Sequence, residues 1–234
     1  MTYFYLYIFI LLVFIIAVSY YNTYTNSNFN SNTNTNSILE PFNSDKQTFI
    51  LLGDSILKNN AYVADGKSVD ILLEERTNGK TICLAIDHSK ITDIYEQVYK
   101  IDHNLNGPST TAFLSAGGND ILSYYVDREN DSTDTSALTT FFSAYNKLVN
   151  SIQKKLPNAS IVLVDIYYPN NLTYKKYHSI ISDWNKMIYD YATKNNFSVL
   201  KISNLLTESE DFSFGMEPSS NGSQKLVDAI MTSY

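Results

Sequence analysis

A single cysteine, Cys83, cannot staple this chain to itself, so a disulfide-built scaffold is excluded. The three histidines, His88, His103 and His178, stand too far apart to read as a zinc cluster, and neither a metal site nor an organic cofactor is expected. Basic residues are scarce: 17 Lys and Arg against 24 Asp and Glu leave a net charge of −7. Spread thinly, they supply no basic face for a phosphate backbone, and nucleic acid is not an expected partner. Charge of either sign is missing from the start of the chain, where the first charged residue is Glu40. What is present is a 44% hydrophobic content over 234 residues, enough for a sizeable core in one domain with a remainder.

That remainder is N-terminal. Tyr3 to Tyr21 (YFYLYIFILLVFIIAVSYY) is uncharged and, at about 1.5 Å rise per residue, makes roughly 28 Å of helix, close to a bilayer core. Tyrosines crowd both ends, as at a membrane interface. Ala17-Val18-Ser19 offers small residues for signal-peptide cleavage, but the apolar run is longer than a signal peptide's and no Lys or Arg precedes it. The expectation is a transmembrane anchor over 1–21, hence a single-pass membrane protein, or a secreted one if the segment is cleaved. The nearest basic residue, Lys46, lies beyond the interface, so orientation is open. Sequons at Asn130, Asn158, Asn171, Asn196 and Asn221 carry no weight in a chain so rich in Asn, Ser and Thr. Residues 22–45, dominated by Asn, Thr and Ser, read as a disordered tether with a span on the order of 25 Å.

Residues 46–234 alternate apolar runs with amphipathic stretches. Thr48–Leu52, Ile82–Ile86, Thr111–Ala116, Ser160–Ile166 and Phe197–Ile202 are short, β-rich and apolar on both faces, the pattern of buried parallel strands. Helices are expected at Ser68–Arg76, Lys90–Lys100, Asp134–Lys155, Tyr174–Asn195 and Ser219–Thr232. The alternation predicts an α/β fold, a three-layer α/β/α sandwich around a mostly parallel five-stranded sheet. Chemistry belongs in the loops after the strands' carboxyl ends.

Those loops carry Gly53-Asp54-Ser55 after the first strand and Gly117-Gly118-Asn119-Asp120 after the third; Met216-Glu217-Pro218-Ser219 precedes the last helix. Each alone is a common turn or helix entry. In this order they resemble the SGNH, or GDSL-type, hydrolase family, and the resemblance extends to Ile56–Val63 (ILKNNAYV), to LAIDHSKITDI from Leu84, and to YYPNN from Tyr167. It implies a flavodoxin-like sandwich and an esterase or acylhydrolase in which Ser55 attacks an ester. Asn119 and the backbone N–H groups of Ser55 and His88 would then bind the oxyanion. Ser55 is expected at a sharp strand-to-helix turn, where a helix N-terminus favours developing negative charge. Asp54, Gly118 and Asp120 are expected to support the loops.

The chain departs from the family where its catalytic histidine and the orienting aspartate three residues earlier would stand: Glu217 and Phe214 occupy those positions. The block resembles an Ile-Glu-Pro-Ser variant found in some of the family. Two readings follow. Glu217 is itself the base, its pKa raised by Phe214 and Met216, with the aspartate lost because a second carboxylate would repel it. Otherwise the base is gone, Glu217 caps the last helix, and the domain binds an acylated or glycan ligand without turning it over. His88 stands where the family has a glycine, and its imidazole is a further candidate to reach Ser55. His103 and His178 read as surface residues and Cys83 as a small core residue. An ester, a lipid or an acetylated glycan would fit the same site residues.

Overall fold

Five parallel strands form one sheet: β1 (Thr48–Leu52), β2 (Thr81–Cys83), β3 (Thr110–Ser115), β4 (Ser160–Val164) and β5 (Ser198–Leu200), in the order β2-β1-β3-β4-β5. The structure, a computed structural model, describes residues 47–126 and 135–234, all within the unit Asn43–Tyr234. The expected anchor at 1–21 and tether at 22–45 lie outside the described residues. Among the described residues no helix is long and apolar enough to cross a membrane.

The strands read as continuous apolar runs because both sheet faces are covered. Ile50, Leu52, Ala112, Leu114, Ile161 and Leu163 pack in one cluster with α2 (Ile94–Tyr99), α4 (Ser136–Lys155) and α5 (His178–Asn195). Their neighbours Phe49, Leu51, Phe113, Val162 and Val164 pack in a second cluster with α1 (Val69–Arg76) and α6 (Ser220–Ser233). Strict alternation of side chains along each strand thus builds two cores and three layers. The sheet is parallel throughout. Its register sets Leu52 against Leu114 and Ser115 against Val164, so β1, β3 and β4 end along one edge.

The edge strands β2 and β5 are three residues each, shorter than their apolar runs imply. Two elements at that edge lack a sequence signal: the four-residue α3 (Gly118–Ile121), continued by a π-helix over Leu122–Val126, and a hairpin of β6 (Phe212–Ser213) and β7 (Glu217–Pro218). The amphipathic stretch from Tyr174 becomes α-helix only at His178, after a 3₁₀-helix over Leu172–Tyr177.

Candidate active site

After β1 the chain turns at Gly53, whose φ is 137° and whose Cβ, if present, would lie 2.1 Å from the Ser115 carbonyl oxygen. Only glycine fits there. The turn is held from outside by Gln97 of α2, a side chain 1% exposed. Its Oε1 accepts the Gly53 N–H at 2.7 Å, and its Nε2 donates to the Gly53 carbonyl at 2.8 Å and to Ser89 Oγ at 3.2 Å. Asp54 is buried, and its Oδ1 accepts from Ser115 Oγ at 2.7 Å and from the Ile56 N–H at 3.2 Å. Burial pushes its carboxyl up to about 7, against those two hydrogen bonds.

No helix begins at Ser55, contrary to expectation. The chain makes a turn closed by Leu57 N–H on the Asp54 carbonyl, and the next α-helix starts only at Val69. The reason lies in Asn59, fully buried, which ties three segments instead of continuing a helix. Its Oδ1 accepts the Val69 N–H at 3.0 Å, while its Nδ2 donates to the Pro218 carbonyl at 2.8 Å and to Ser223 Oγ at 2.7 Å. The helix-dipole expectation for Ser55 therefore falls.

Asn59 draws the β6–β7 hairpin toward the Ser55 loop, and Glu217 comes with it. Ser55 and Glu217 line one cavity, and the Ser55 hydroxyl stands close enough to the Glu217 carboxylate to favour its charged form. Glu217 Oε2 is buried and has no hydrogen-bond partner among the described residues. Burial raises the Glu217 pKa and the charge of Asp87 adds to the rise; the Ser55 hydroxyl and His88 oppose it. Phe214 contributes nothing to this desolvation: it sits at the hairpin tip, 87% exposed. Met216 does line the same cavity as Glu217. Nor does Glu217 cap the last helix. That role belongs to Ser219, whose Oγ accepts from the N–H groups of Asn221 and Gly222, both at 3.2 Å.

On the opposite side, Asn119 lies in α3, and its Nδ2 donates one hydrogen to the Ser89 carbonyl at 3.0 Å, which leaves the second N–H of that amide. Asp120 supports the loop, its Oδ2 accepting the Ile91 N–H at 3.0 Å. Of the paired glycines, Gly117 carries the constraint: φ is 105° and an added Cβ would lie 2.2 Å from the Trp184 ring, whereas at Gly118 it would meet only ordinary contacts. His88 adopts φ 61°, the left-handed conformation the family's glycine would take. Its imidazole faces outward, 78% exposed, with Nε2 3.5 Å from Asp87 Oδ2 and 3.4 Å from Tyr62 Oη. It replaces no missing histidine at Ser55. Among the described residues no backbone carbonyl takes the N–H of Ser55 or of His88.

Ser55, Asn119 and Glu217 line one cavity, whose apolar wall is built by Ile121, Leu122, Val126, Ile166 and Ile181. The π-helix supplies two of these, Leu122 and Val126. Tyr167 was not singled out by sequence: it lines the cavity, and burial and the charges of Glu217 and Asp54 push its phenol well up. Only its place after β4 signalled it. The remaining candidates lie elsewhere. His103 is exposed beside Asp102. His178 is half-buried rather than superficial, its Nε2 3.0 Å from the Pro169 carbonyl. Cys83 is half-buried in β2, its thiol pushed up to about 11 by burial. No group of three or more His, Cys, Asp or Glu among the described residues converges on a metal position.

The parallel order and the loops at its edge define the fold of the GDSL-type lipolytic proteins. A member of the lipolytic G-D-S-L family from Veillonella parvula superposes with a TM-score of 0.64 at 16% identity, over 80% of this chain and 98% of that one. An extracellular lipase from Streptomyces rimosus gives 0.60 at 14%, over 80% and 100%. Phospholipase A1 from Streptomyces albidoflavus gives 0.59 at 11%, over 81% and 100%. No family model matches the chain, and no curated protein matches it in sequence.

Proposed function

We propose that this chain is a hydrolase of carboxylic esters of the SGNH type, with Ser55 as nucleophile and Glu217 as general base. The observation that carries the reading is that Ser55, Asn119 and Glu217 line one cavity, with the Ser55 hydroxyl beside a carboxylate whose burial raises its proton affinity. In the forward step Glu217 accepts the Ser55 proton as Oγ bonds to the ester carbonyl carbon. The oxyanion that forms is held by the second N–H of the Asn119 amide and by the backbone N–H groups of Ser55 and His88. Collapse breaks the bond to the leaving alkoxide, which takes the proton back from Glu217 and leaves an acyl-serine. Water then repeats the sequence, giving up its proton to Glu217 and freeing the acid.

The apolar wall from Ile121 to Ile181 supports a hydrocarbon acyl group in preference to acetyl. The fold neighbours, a lipolytic family member, a lipase and a phospholipase A1, agree with an ester or lipid substrate. Tethering to a membrane through residues 1–21 is a separate part of the proposal and rests on that segment's length and apolarity.

A fluorophosphonate probe tests the nucleophile. Labelling mapped to Ser55 and lost in Ser55→Ala is the expected result. Absence of labelling at every pH from about 5 to about 9 would leave a ligand-binding domain that performs no turnover.

A further inference from the structure

Two segments flank the mouth of the Ser55 cavity: Pro169–Tyr177, which contains the 3₁₀-helix, and the β6–β7 hairpin. They are tied by the Asn171 N–H on the Gly215 carbonyl at 2.9 Å. In a 3₁₀-helix, residues three apart share a face. Tyr174 and Tyr177 accordingly turn together into the cavity. Leu172 and Lys175, also three apart, share a different face; Leu172 is 77% exposed and Lys175 is exposed. Phe214, one residue before the tie on the hairpin side, is 87% exposed.

A lone exposed leucine needs no explanation. Phe214 does, because two costs coincide there. Its φ of 54° is a left-handed conformation that a bulky side chain occupies only under constraint, and its ring is left in water. Packing explains neither, since a glycine or asparagine would make the same turn more cheaply. Within the two segments the exposed charges are Lys175 and Lys176, while the only carboxylate there, Glu217, lines the cavity; the exposed Glu208 and Glu210 lie before the hairpin. The two segments themselves thus carry more basic than acidic charge on a chain of net charge −7.

The geometry points to a docking rim for an anionic lipid surface: Phe214 and Leu172 enter the boundary between headgroups and acyl chains while Lys175 and Lys176 pair with lipid phosphates. The cavity mouth would then open onto the lipid. That use of the rim rests on the esterase reading, but the docking itself does not.

The test uses the full chain carrying Ser55→Ala, so that binding is read without turnover, and adds Phe214→Trp. The native chain has one tryptophan, Trp184, fully buried, which supplies a constant baseline in the protein without the second change. Vesicles of phosphatidylglycerol are expected to blue-shift the added emission and to expose it to quenching by a shallow spin-labelled lipid, with phosphatidylcholine giving a much weaker effect. Lys175→Gln with Lys176→Gln should raise the lipid concentration at half-effect roughly 30-fold. Because the readout is local to the hairpin tip, insertion of residues 3–21 cannot mimic it. No change at the tip on vesicle-bound protein, or equal quenching on phosphatidylcholine, or indifference to the lysine changes, overturns the proposal. A shift that grows with protein concentration without lipid would assign the rim to a second copy of the chain and overturn it too. If Ser55 proves catalytically silent while the tip is quenched on phosphatidylglycerol, the esterase reading fails and the docking rim stands.

Discussion

Ser55 and Glu217 line one cavity, and a carboxylate stands beside the hydroxyl where the resemblance to SGNH hydrolases leads one to expect an imidazole. In the proposed mechanism a carboxylate is a weaker base than imidazole, and burial would offset this, because desolvation raises its proton affinity. Oε2, without a hydrogen-bond partner among the described residues, fits that role, because a donor there would lower the pKa.

The pH dependence follows from that burial. Only ionised Glu217 can take the Ser55 proton, so kcat/KM rises with pH along one limb, and its midpoint lies above the ordinary glutamate value of 4.5. Glu217→Gln is expected to abolish the limb and lower kcat by about 10²- to 10⁴-fold. Stability moves the opposite way. A carboxyl with a raised pKa binds its proton more tightly when folded, so the charged form weakens the fold above that pKa, and Glu217→Gln should unfold at a higher temperature than the native chain at pH 8. A pH–rate profile and a thermal melt on the same two proteins check both signs.

Much of this was readable from the residues. The five apolar runs announced the strands because a sheet covered on both faces removes the need for polar alternation, and the turn glycines Gly53 and Gly117 stand where no Cβ fits. The loops that carry Ser55 and Asn119 follow from the strand ends. What was not readable depends on contacts between distant segments. Nothing local shows that Asn59 binds the Pro218 carbonyl and so prevents a helix after Ser55, or that Gln97 braces Gly53. Phe214 was misread for a related reason: its neighbour Glu217 faces inward, but the left-handed turn between them sends the ring outward.

Asp54 predicts a second pH effect. Its folded pKa near 7 against an ordinary 3.8 means that the native state holds a proton the unfolded chain releases, and stability falls as pH rises from about 4 to about 7. The full difference is on the order of 4 kcal/mol. Asp54→Asn keeps an acceptor for Ser115 Oγ and the Ile56 N–H and carries no charge. Urea titrations at pH 5 and pH 8 should show a smaller loss of stability for the variant than for the native chain; equal losses would assign the pH dependence to other carboxyls.

Gln97 acts through Gly53 rather than on substrate, for it lines no part of the cavity. Gln97→Leu leaves the buried Gly53 N–H without an acceptor, at a cost of about 1–3 kcal/mol. Because the nucleophile loop would loosen while the acyl wall is untouched, kcat is expected to fall at least tenfold with KM changed less than about twofold. A rise in KM at constant kcat would instead place Gln97 in substrate binding.

Asn59 offers the sharpest test of what brings Glu217 to Ser55. Asn59→Ala strands the Val69 N–H and the Pro218 carbonyl and should cost about 2–4 kcal/mol. Asn59→Asp separates the two contacts. Its carboxylate still accepts the Val69 N–H but sets an acceptor against the Pro218 carbonyl, so the ionised form repels the strand that carries Glu217. The protonated form can donate to that carbonyl and restore the tie. Its folded pKa is therefore raised, and stability is present at low pH and lost as pH rises through that pKa. Asn59→Asp is expected to melt close to the native chain near pH 4 and well below it near pH 8. A constant gap between the two melting temperatures over that range would mean that the Asn59 contact with Pro218 does not hold the hairpin in place.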